Sequence, residues 1–223
     1  MNKAETGRLM HRNESHEAGF SLMELMIAMT ITLVIMVGAS TLLSKSLGTR
    51  SRENRKSDSL ADVQRALNIM SREIANSGFG LLNGTDNSNG IVLGASNSSA
   101  TQLRFRANIV NTSGNNAISD AGEDVTYYLE NNRLARYDPF ASAGSQTTAL
   151  LANRIDTLTF GYYDVDAAGN VAAAPALAPT VNTVRVKITV SVTLPAMPGE
   201  PGSTEHLTSE VSLRNAPNVI DGY

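Results

Sequence analysis

The sequence predicts an α+β protein in which a long amino-terminal helix, able to span a membrane over its first part, packs on an antiparallel β-sheet. Three observations predict this fold. Residues 20–43 form a nearly unbroken apolar run. Between Leu60 and Ile74 an apolar residue recurs every three or four positions, which is the period of one helical face. After Gly78 the period falls to two, which is typical of half-buried strands.

The apolar run is long enough to cross a lipid bilayer as a helix. At about 1.5 Å per residue it measures roughly 36 Å, against a hydrocarbon core of about 30 Å. Its one ionisable residue is Glu24, and an acid in the centre of a membrane costs about 3 kcal/mol unless it has a partner. A cut after Gly19 would supply that partner, because the new amine of Phe20 would lie one helical turn from Glu24, on the same chain or on a packed neighbour.

The residues at this junction resemble those of the type IV pilin superfamily, which comprises pilins and type II secretion pseudopilins. The matching positions are Gly19, Phe20, Ser21, Leu22, Glu24 and the apolar run to Leu43. The resemblance implies the pilin fold, a leader peptide over residues 1–19, and a prepilin peptidase that cuts after Gly19 and methylates the amine of Phe20. It further implies that Glu24 pairs with that amine in a filament, and that the partners are other pilins or pseudopilins bound through the amino-terminal helix.

Two plainer interpretations of the run stay open. Val37-Gly38-Ala39 fits an ordinary secretory cleavage site before Ser40, although the run is longer than the usual signal-peptide core. The run could also be a single-pass anchor that merely holds a domain. Lys and Arg are more numerous after the run than before it, which taken alone favours an extracytoplasmic amino terminus. The leader resemblance instead places the amino terminus in the cytoplasm and the rest of the chain outside the inner membrane.

After the membrane-spanning helix of residues 20–43, residues 44–78 are predicted to continue it as an amphipathic helix, and residues 79–223 to form an extracytoplasmic β-sheet domain. Asn76-Ser77-Gly78 is a typical helix stop. Charged side chains of this second helical segment are expected mostly away from the apolar face. The apolar face consists of Leu60, Val63, Leu67, Met70 and Ile74, and the charged residues include Asp58, Asp62, Arg65, Arg72 and Glu73.

Alternating apolar residues predict the strands of the sheet, and Asn131-Asn132 predicts a two-residue turn that would place Leu134 opposite Leu129. Residues 78–99, 118–124 and 195–202 are expected to be loops, with Asn-Gly pairs at Asn83-Gly84 and Asn89-Gly90. The predicted inward faces are Leu103, Phe105, Ala107 and Ile109; Val125, Tyr127 and Leu129; Leu158, Phe160 and Tyr162; Val184, Val186, Ile188, Val190, Val192 and Leu194; and Val211 with Leu213.

Composition excludes several classes of function. The chain has 223 residues, a net charge of −3 and no cysteine, so it has no disulfides, no thiolate chemistry and no zinc site built on cysteine. The acidic balance gives no electrostatic case for a nucleic acid partner. We expect no enzymatic activity, no cofactor and no metal.

Shorter segments resemble the larger minor-pilin and pseudopilin group, of the PilW or J type. They are Leu67–Ile74 followed by Gly78 and Phe79, the Tyr127-Tyr128-Leu129 hairpin, and Leu213-Arg214-Asn215. The absence of tryptophan favours the pilus side of this group. The resemblance implies a minor subunit that helps to initiate a type IV pilus. The alternatives are a type II secretion pseudopilin and a membrane-anchored adhesin or binding module.

Candidate ligand sites in the second half of the chain are weak. Asp164 to Asn170 partly matches a calcium loop but lacks an acid at its twelfth position, where Pro175 stands, so a strand-connecting turn is the better interpretation. A cluster of Asp120, Glu123 and Asp124 could hold a weak surface cation. Of the three histidines, His11 and His16 lie in the leader, and His206 is expected in a solvated loop. The strand tyrosines, Tyr127, Tyr128, Tyr162 and Tyr163, are expected in the core and on the sheet surface.

Overall fold

The computed structural model describes residues 19–81, 89–110, 117–150, 155–194, 196 and 201–216. The predicted leader up to residue 18 and the Asn83-Gly84 turn therefore lie outside the described residues. The chain divides into two compact units, residues 1–52 and residues 53–223. The elements are α1 (Leu22–Ala75), β1 (Gln102–Arg106), β2 (Asp124–Glu130), β3 (Arg133–Tyr137), β4 (Thr147–Ala149), β5 (Thr157–Asp164), β6 (Thr183–Leu194) and β7 (Ser203–Ser212).

In the first unit, which ends at residue 52, the large apolar side chains of α1 are exposed. Phe20 is 87% exposed, and every large apolar side chain from Leu22 to Leu47 is at least 53% exposed. The helix contains a window of mean hydropathy 2.2 with no buried residue, so by length and composition it can cross a membrane. The hydroxyls of Thr30, Thr32 and Thr41 donate to carbonyls of the preceding helical turn, at 2.8, 2.7 and 2.8 Å. They therefore bring no unsatisfied donor into an apolar environment.

The second unit contains the end of α1 and all seven strands found in the described residues, which is the α+β arrangement that the sequence predicts. The strands form two antiparallel sheets, of order β1-β2-β3-β4 and β5-β6-β7. The expectation of one sheet was wrong. Residues 90–92 occupy the outer edge of β1, where the N–H of Val92 donates to Arg104 O at 2.9 Å and that of Arg106 to Gly90 O at 2.8 Å. β5 therefore does not pair with that edge of β1.

One hydrophobic core joins the helix to both sheets. Val63, Leu67, Met70 and Ile74 of α1 are at most 1% exposed, which confirms that the apolar stripe packs against strands, although Leu60 is only half-buried. The predicted inward faces of β2, β5 and β6 are buried, with Leu129 partly so, and the side chain of Leu194 lies outside the described part of the chain. The core strand residues include Phe105, Val125, Tyr127, Phe160, Tyr162, Val186, Ile188 and Val190.

Two turns follow from local chemistry as predicted. α1 ends at Ala75, and Gly78 beyond it has a φ of 82°, a conformation in which glycine carries no Cβ penalty. Asn131 and Asn132 both have positive φ, 50° and 59°, and connect β2 to β3 so that Leu129 lies opposite Leu134. Paired positive φ values are the signature of the type I′ hairpin turn.

The first predicted strand ends earlier than expected. β1 stops at Arg106, and Ile109, predicted to face inward, is 50% exposed. Asn108 is instead buried, because its main chain leaves the sheet and its N–H donates to Phe79 O at 2.7 Å, beside the end of the helix. The alternating pattern therefore extends beyond the strand. The three-residue strand β4 was not predicted, since its residues are all exposed and carry no alternation.

Candidate processing and assembly site

The predicted cleavage junction immediately precedes α1. Gly19, Phe20 and Ser21 are exposed, and the helix begins at Leu22. A side chain added at Gly19 would meet no atom of the described residues within 4 Å. The described part of the chain therefore gives no reason for glycine at position 19. A requirement for glycine there would have to come from a binding partner that needs a small residue, such as a peptidase.

Glu24 closes a capping box at the start of α1. The N–H of Ser21 donates to Glu24 Oε2 at 3.1 Å, and the N–H of Met23 donates to Ser21 Oγ at 3.3 Å. The N–H of Leu25 donates to Ser21 O at 3.1 Å, which is the first helical bond. A helix start leaves its first N–H groups without partners within the helix, and this reciprocal arrangement satisfies two of them.

The capping role of Ser21 was not predicted from the sequence. The signal was present, because a serine followed three residues later by a glutamate, just before an apolar run, is the pattern of a capping box. The box holds the carboxylate of Glu24 beside the main chain of Ser21, one residue from the predicted amine of Phe20. A carboxylate has about four acceptor positions, so the bond from Ser21 leaves Glu24 able to accept further donors.

The comparison with known protein families bears on this segment. Residues 15–40 match the model of the prokaryotic N-terminal methylation motif. The chain carries this motif. It is the processing motif of pilins and pseudopilins, and it spans the junction, the capping box and most of the apolar run. A comparison with curated proteins found no match, and a comparison with solved structures found none either.

The carboxylates of the predicted calcium loop, Asp164 and Asp166, accept hydrogen bonds from nearby groups of the protein. Asp164 accepts the hydroxyls of Thr180 and Thr183 at 2.8 and 2.7 Å, while Asp166 accepts the N–H groups of Ala168 and Asn170 at 2.9 and 2.8 Å. The bonds from Asn170 hold the pKa of Asp166 below its ordinary value. A bridge between Val165 and Val171 closes this segment as an exposed turn, as predicted.

The predicted cluster of Asp120, Glu123 and Asp124 forms hydrogen bonds and ion pairs within the protein. Glu123 is fully buried and accepts the N–H groups of Val110, Ser119 and Asp120 at 3.0–3.1 Å. Asp124 is paired with two arginines and does not share a site with Glu123. Among the described residues no group of three or more His, Asp or Glu side chains could hold a metal ion.

Asp124 is a buried acid that forms ion pairs with two arginines. Arg104 reaches it through two bonds of 2.7 Å, and Arg106 through one of 3.0 Å. Burial acts to raise the pKa of Asp124, but the hydrogen bonds and charges of Arg104 and Arg106 outweigh it and hold the pKa below its ordinary value.

Glu73, expected mostly away from the apolar face of α1, links α1 to β2 and β3. The hydroxyl of Tyr127 donates to Glu73 Oε2 at 2.6 Å, and Arg136 Nε donates to the same oxygen at 3.1 Å. Arg136 also lies 3.4 Å from Asp138. Burial and the neighbouring carboxylate of Glu73 raise the pKa of Tyr127. No local pattern reveals this network, since Glu73 lies 54 positions from Tyr127 and 63 positions from Arg136 in sequence.

The structure places His206 and the strand tyrosines in the β-sheets. His206, expected in a loop, is exposed on strand β7 instead, opposite Ser191. Tyr127 and Tyr162 are fully buried, and the hydroxyl of Tyr162 donates to Ser99 O at 2.7 Å. Tyr163 stacks under the guanidinium of Arg185, with 4.4 Å from Cζ to the ring centroid. His11 and His16 lie outside the described residues.

Proposed function

We propose that this chain is a non-enzymatic subunit of a type IV pilus, made as a precursor in the inner membrane, cut after Gly19 and methylated at Phe20. The methylation motif over residues 15–40 carries this proposal. In the proposed filament, the exposed apolar part of α1 packs on equivalent helices. Glu24 then pairs with a Phe20 amine and so fixes the register between subunits.

The geometry at the helix start supports the role of Glu24. The capping box keeps the carboxylate next to the main chain at 3.1 Å from the Ser21 nitrogen. An amine at Phe20 would be attached to the preceding residue and would lie within the same turn. The carboxylate therefore needs no rearrangement of the helix to meet either its own amine or that of a neighbouring subunit.

Within this class we propose a minor subunit that helps to initiate the pilus, based on the resemblance to PilW-type chains. A pseudopilin of a type II secretion system carries the same processing motif, so the motif supports both. Deletion of the chain separates them by the phenotype. Loss of surface pili, with protein secretion intact, supports the pilus subunit, whereas secretion loss with normal piliation supports the pseudopilin.

The decisive experiment is mass spectrometry of the mature amino terminus from the native host. An N-methylated phenylalanine at position 20 is the expected result. A chain that starts at Ser40 or retains Met1 would reject the proposal. The matched variant is Gly19→Asp, in which the peptidase would meet a charged side chain at the cut; it should accumulate as precursor, while a plain anchor would be unaffected.

A further inference from the structure

Strand β7 offers a long, regular edge. It stands at the end of the sheet β5-β6-β7 and pairs with β6 over ten consecutive positions without a bulge. Among the described residues, no strand pairs with its outer edge. Proteins usually protect such edges with bulges, prolines, lysines or short length, because unpaired N–H and C=O groups attract another strand. Residues 203–212 contain no proline and no lysine.

The hydrogen-bond alternation identifies the outward-facing groups. The N–H of Leu213 donates to Val184 O at 2.8 Å, so the odd-numbered residues of β7 make the bonds to β6. The even-numbered residues therefore direct their main-chain N–H and C=O groups away from the sheet, and their side chains are exposed. These residues are Thr204, His206, Thr208, Glu210 and Ser212.

We propose that the outer edge of β7 pairs antiparallel with β7 of a second copy of this chain, in a register centred on Thr208. In this register Thr208 meets its own copy, and Thr204 meets Ser212. His206 lies opposite Glu210 of the second copy, twice by symmetry. Each of these two His206–Glu210 pairs joins an imidazole N–H donor to a carboxylate, and no two like charges face each other in this register.

Glu210 retains the capacity for this contact. Within its own chain it accepts the hydroxyl of Tyr163 and the guanidinium of Arg185, both at 3.2 Å. These bonds use one position on each carboxylate oxygen, and a carboxylate has about four. The same bonds hold the Glu210 side chain in place before the second strand arrives. The β7 edge lies in the second unit, residues 53–223, and its pairing does not depend on the proposed function.

Disulfide trapping tests the register directly, because the chain contains no cysteine. The full-length Thr208→Cys variant, oxidised in its own membranes, should form a disulfide-linked homodimer. A directly opposed hydrogen-bonded pair has its Cα atoms about 5.5 Å apart, within the span of a disulfide. The matched control is Thr159→Cys. Thr159 is exposed on β5 and lies in the same cross-strand row as Thr208, through Thr189, but at the opposite edge of the sheet, where the main chain of β5 is bonded to Ala100 and Ala176.

Three further variants test the register and the charge pairing. Thr204→Cys alone should not crosslink, whereas the double variant with Ser212→Cys should. Adding His206→Glu to Thr208→Cys places like charges opposite each other and should reduce the dimer fraction by about threefold or more.

Several results would overturn the inference. One is a Thr208→Cys variant that remains monomeric, as expected if another segment of this chain covers the edge. Another is a Thr208→Cys variant that crosslinks to a different protein, or no better than Thr159→Cys, which would indicate random collision. Each of these outcomes excludes a symmetric β7 interface, and none of them alters the mass of the mature amino terminus.

Discussion

The two ends of helix α1 use apolar residues in opposite ways. Between Leu22 and Leu47 the large apolar side chains are all at least 53% exposed, whereas Leu67, Met70 and Ile74 are at most 1% exposed. Burial of apolar surface contributes about 25 cal/mol per Å² only when something covers it. The second part of the helix is covered by the strands of its own chain. The first part requires lipid or other helices, so the same element stabilises a domain at one end and offers an assembly surface at the other.

The largest effect is expected at Glu24. Glu24→Ala should leave cleavage after Gly19 largely intact but abolish incorporation into filaments, because the amine of Phe20 loses its partner. Immunoblots of sheared pili and of membranes measure the two steps separately. Glu24→Gln is the matched control, since an amide oxygen can still accept the Ser21 N–H but carries no charge. Filaments that incorporate the Gln variant normally would show that charge pairing is not required.

The same substitution at both ends of α1 tests the comparison itself. Met70 is fully buried and Met36 is 69% exposed. Met70→Ala should lower the free energy of unfolding of residues 53–223 by about 2–5 kcal/mol through lost burial and a cavity. Met36→Ala should leave it unchanged.

Denaturation of the full chain in detergent, followed by tyrosine fluorescence, provides the measurement. All six tyrosines lie after residue 126, so the signal reports on the second unit alone. Equal destabilisation by both variants would contradict the division into an uncovered and a covered part.

Asp124 should make the second unit sensitive to acid. Its pKa is lowered in the folded state, so its stabilisation is present above the unfolded pKa of about 3.9 and is lost as pH falls through the lower folded value. Asp124→Asn should cost about 1.5–3 kcal/mol at neutral pH, as expected for hydrogen bonds to a charged group. The unfolding free energy measured between pH 6 and 3 should then fall less steeply than in the parent chain. An unchanged slope would assign the acid sensitivity to other carboxyl groups.

The smallest effect is expected at the capping box. Ser21→Ala removes the hydroxyl that caps Met23 and should destabilise the first turn by about 0.5–2 kcal/mol. Cleavage should continue, and filament incorporation should fall only partly. Hydrogen exchange of the first-turn amides in detergent measures the loss of the cap, with Ser21→Thr as the conservative control. An unchanged exchange rate would show that the cap does not stabilise this helix.

The sequence predicted those parts of the fold whose chemistry is local. The Asn131-Asn132 turn, the helix stop at Gly78 and the alternation from Val184 to Val192 each depend on neighbours along the chain. The ion pair of Glu73 with Arg136 depends on residues 63 positions apart, and the division into two sheets depends on residues 90–92 occupying the edge of β1. Local periodicity contains no information about either. His206 was misplaced for the same reason, since its strand is defined by pairing with β6.

The roles of the candidate site residues stay predictions, and the local bonding among them was not predicted. Gly19, Phe20 and Glu24 follow from the junction itself, and the methylation motif covers all three. The contribution of Ser21 follows from the first turn of the helix, where its main-chain N–H donates a hydrogen bond to the carboxylate of Glu24. How Glu24 acts between subunits stays a prediction, because that contact involves a second chain.

The threonines in the first part of α1 have a further consequence. Because Thr30, Thr32 and Thr41 donate their hydroxyl protons to their own helix, the outer surface of this segment has no hydrogen bond from these groups to lose when its surroundings change. Replacing hydrocarbon chains by another helix then alters only dispersion contacts and packing at these positions. A helix of this kind can exchange contacts with lipid for contacts with other helices without breaking a hydrogen bond at these threonines.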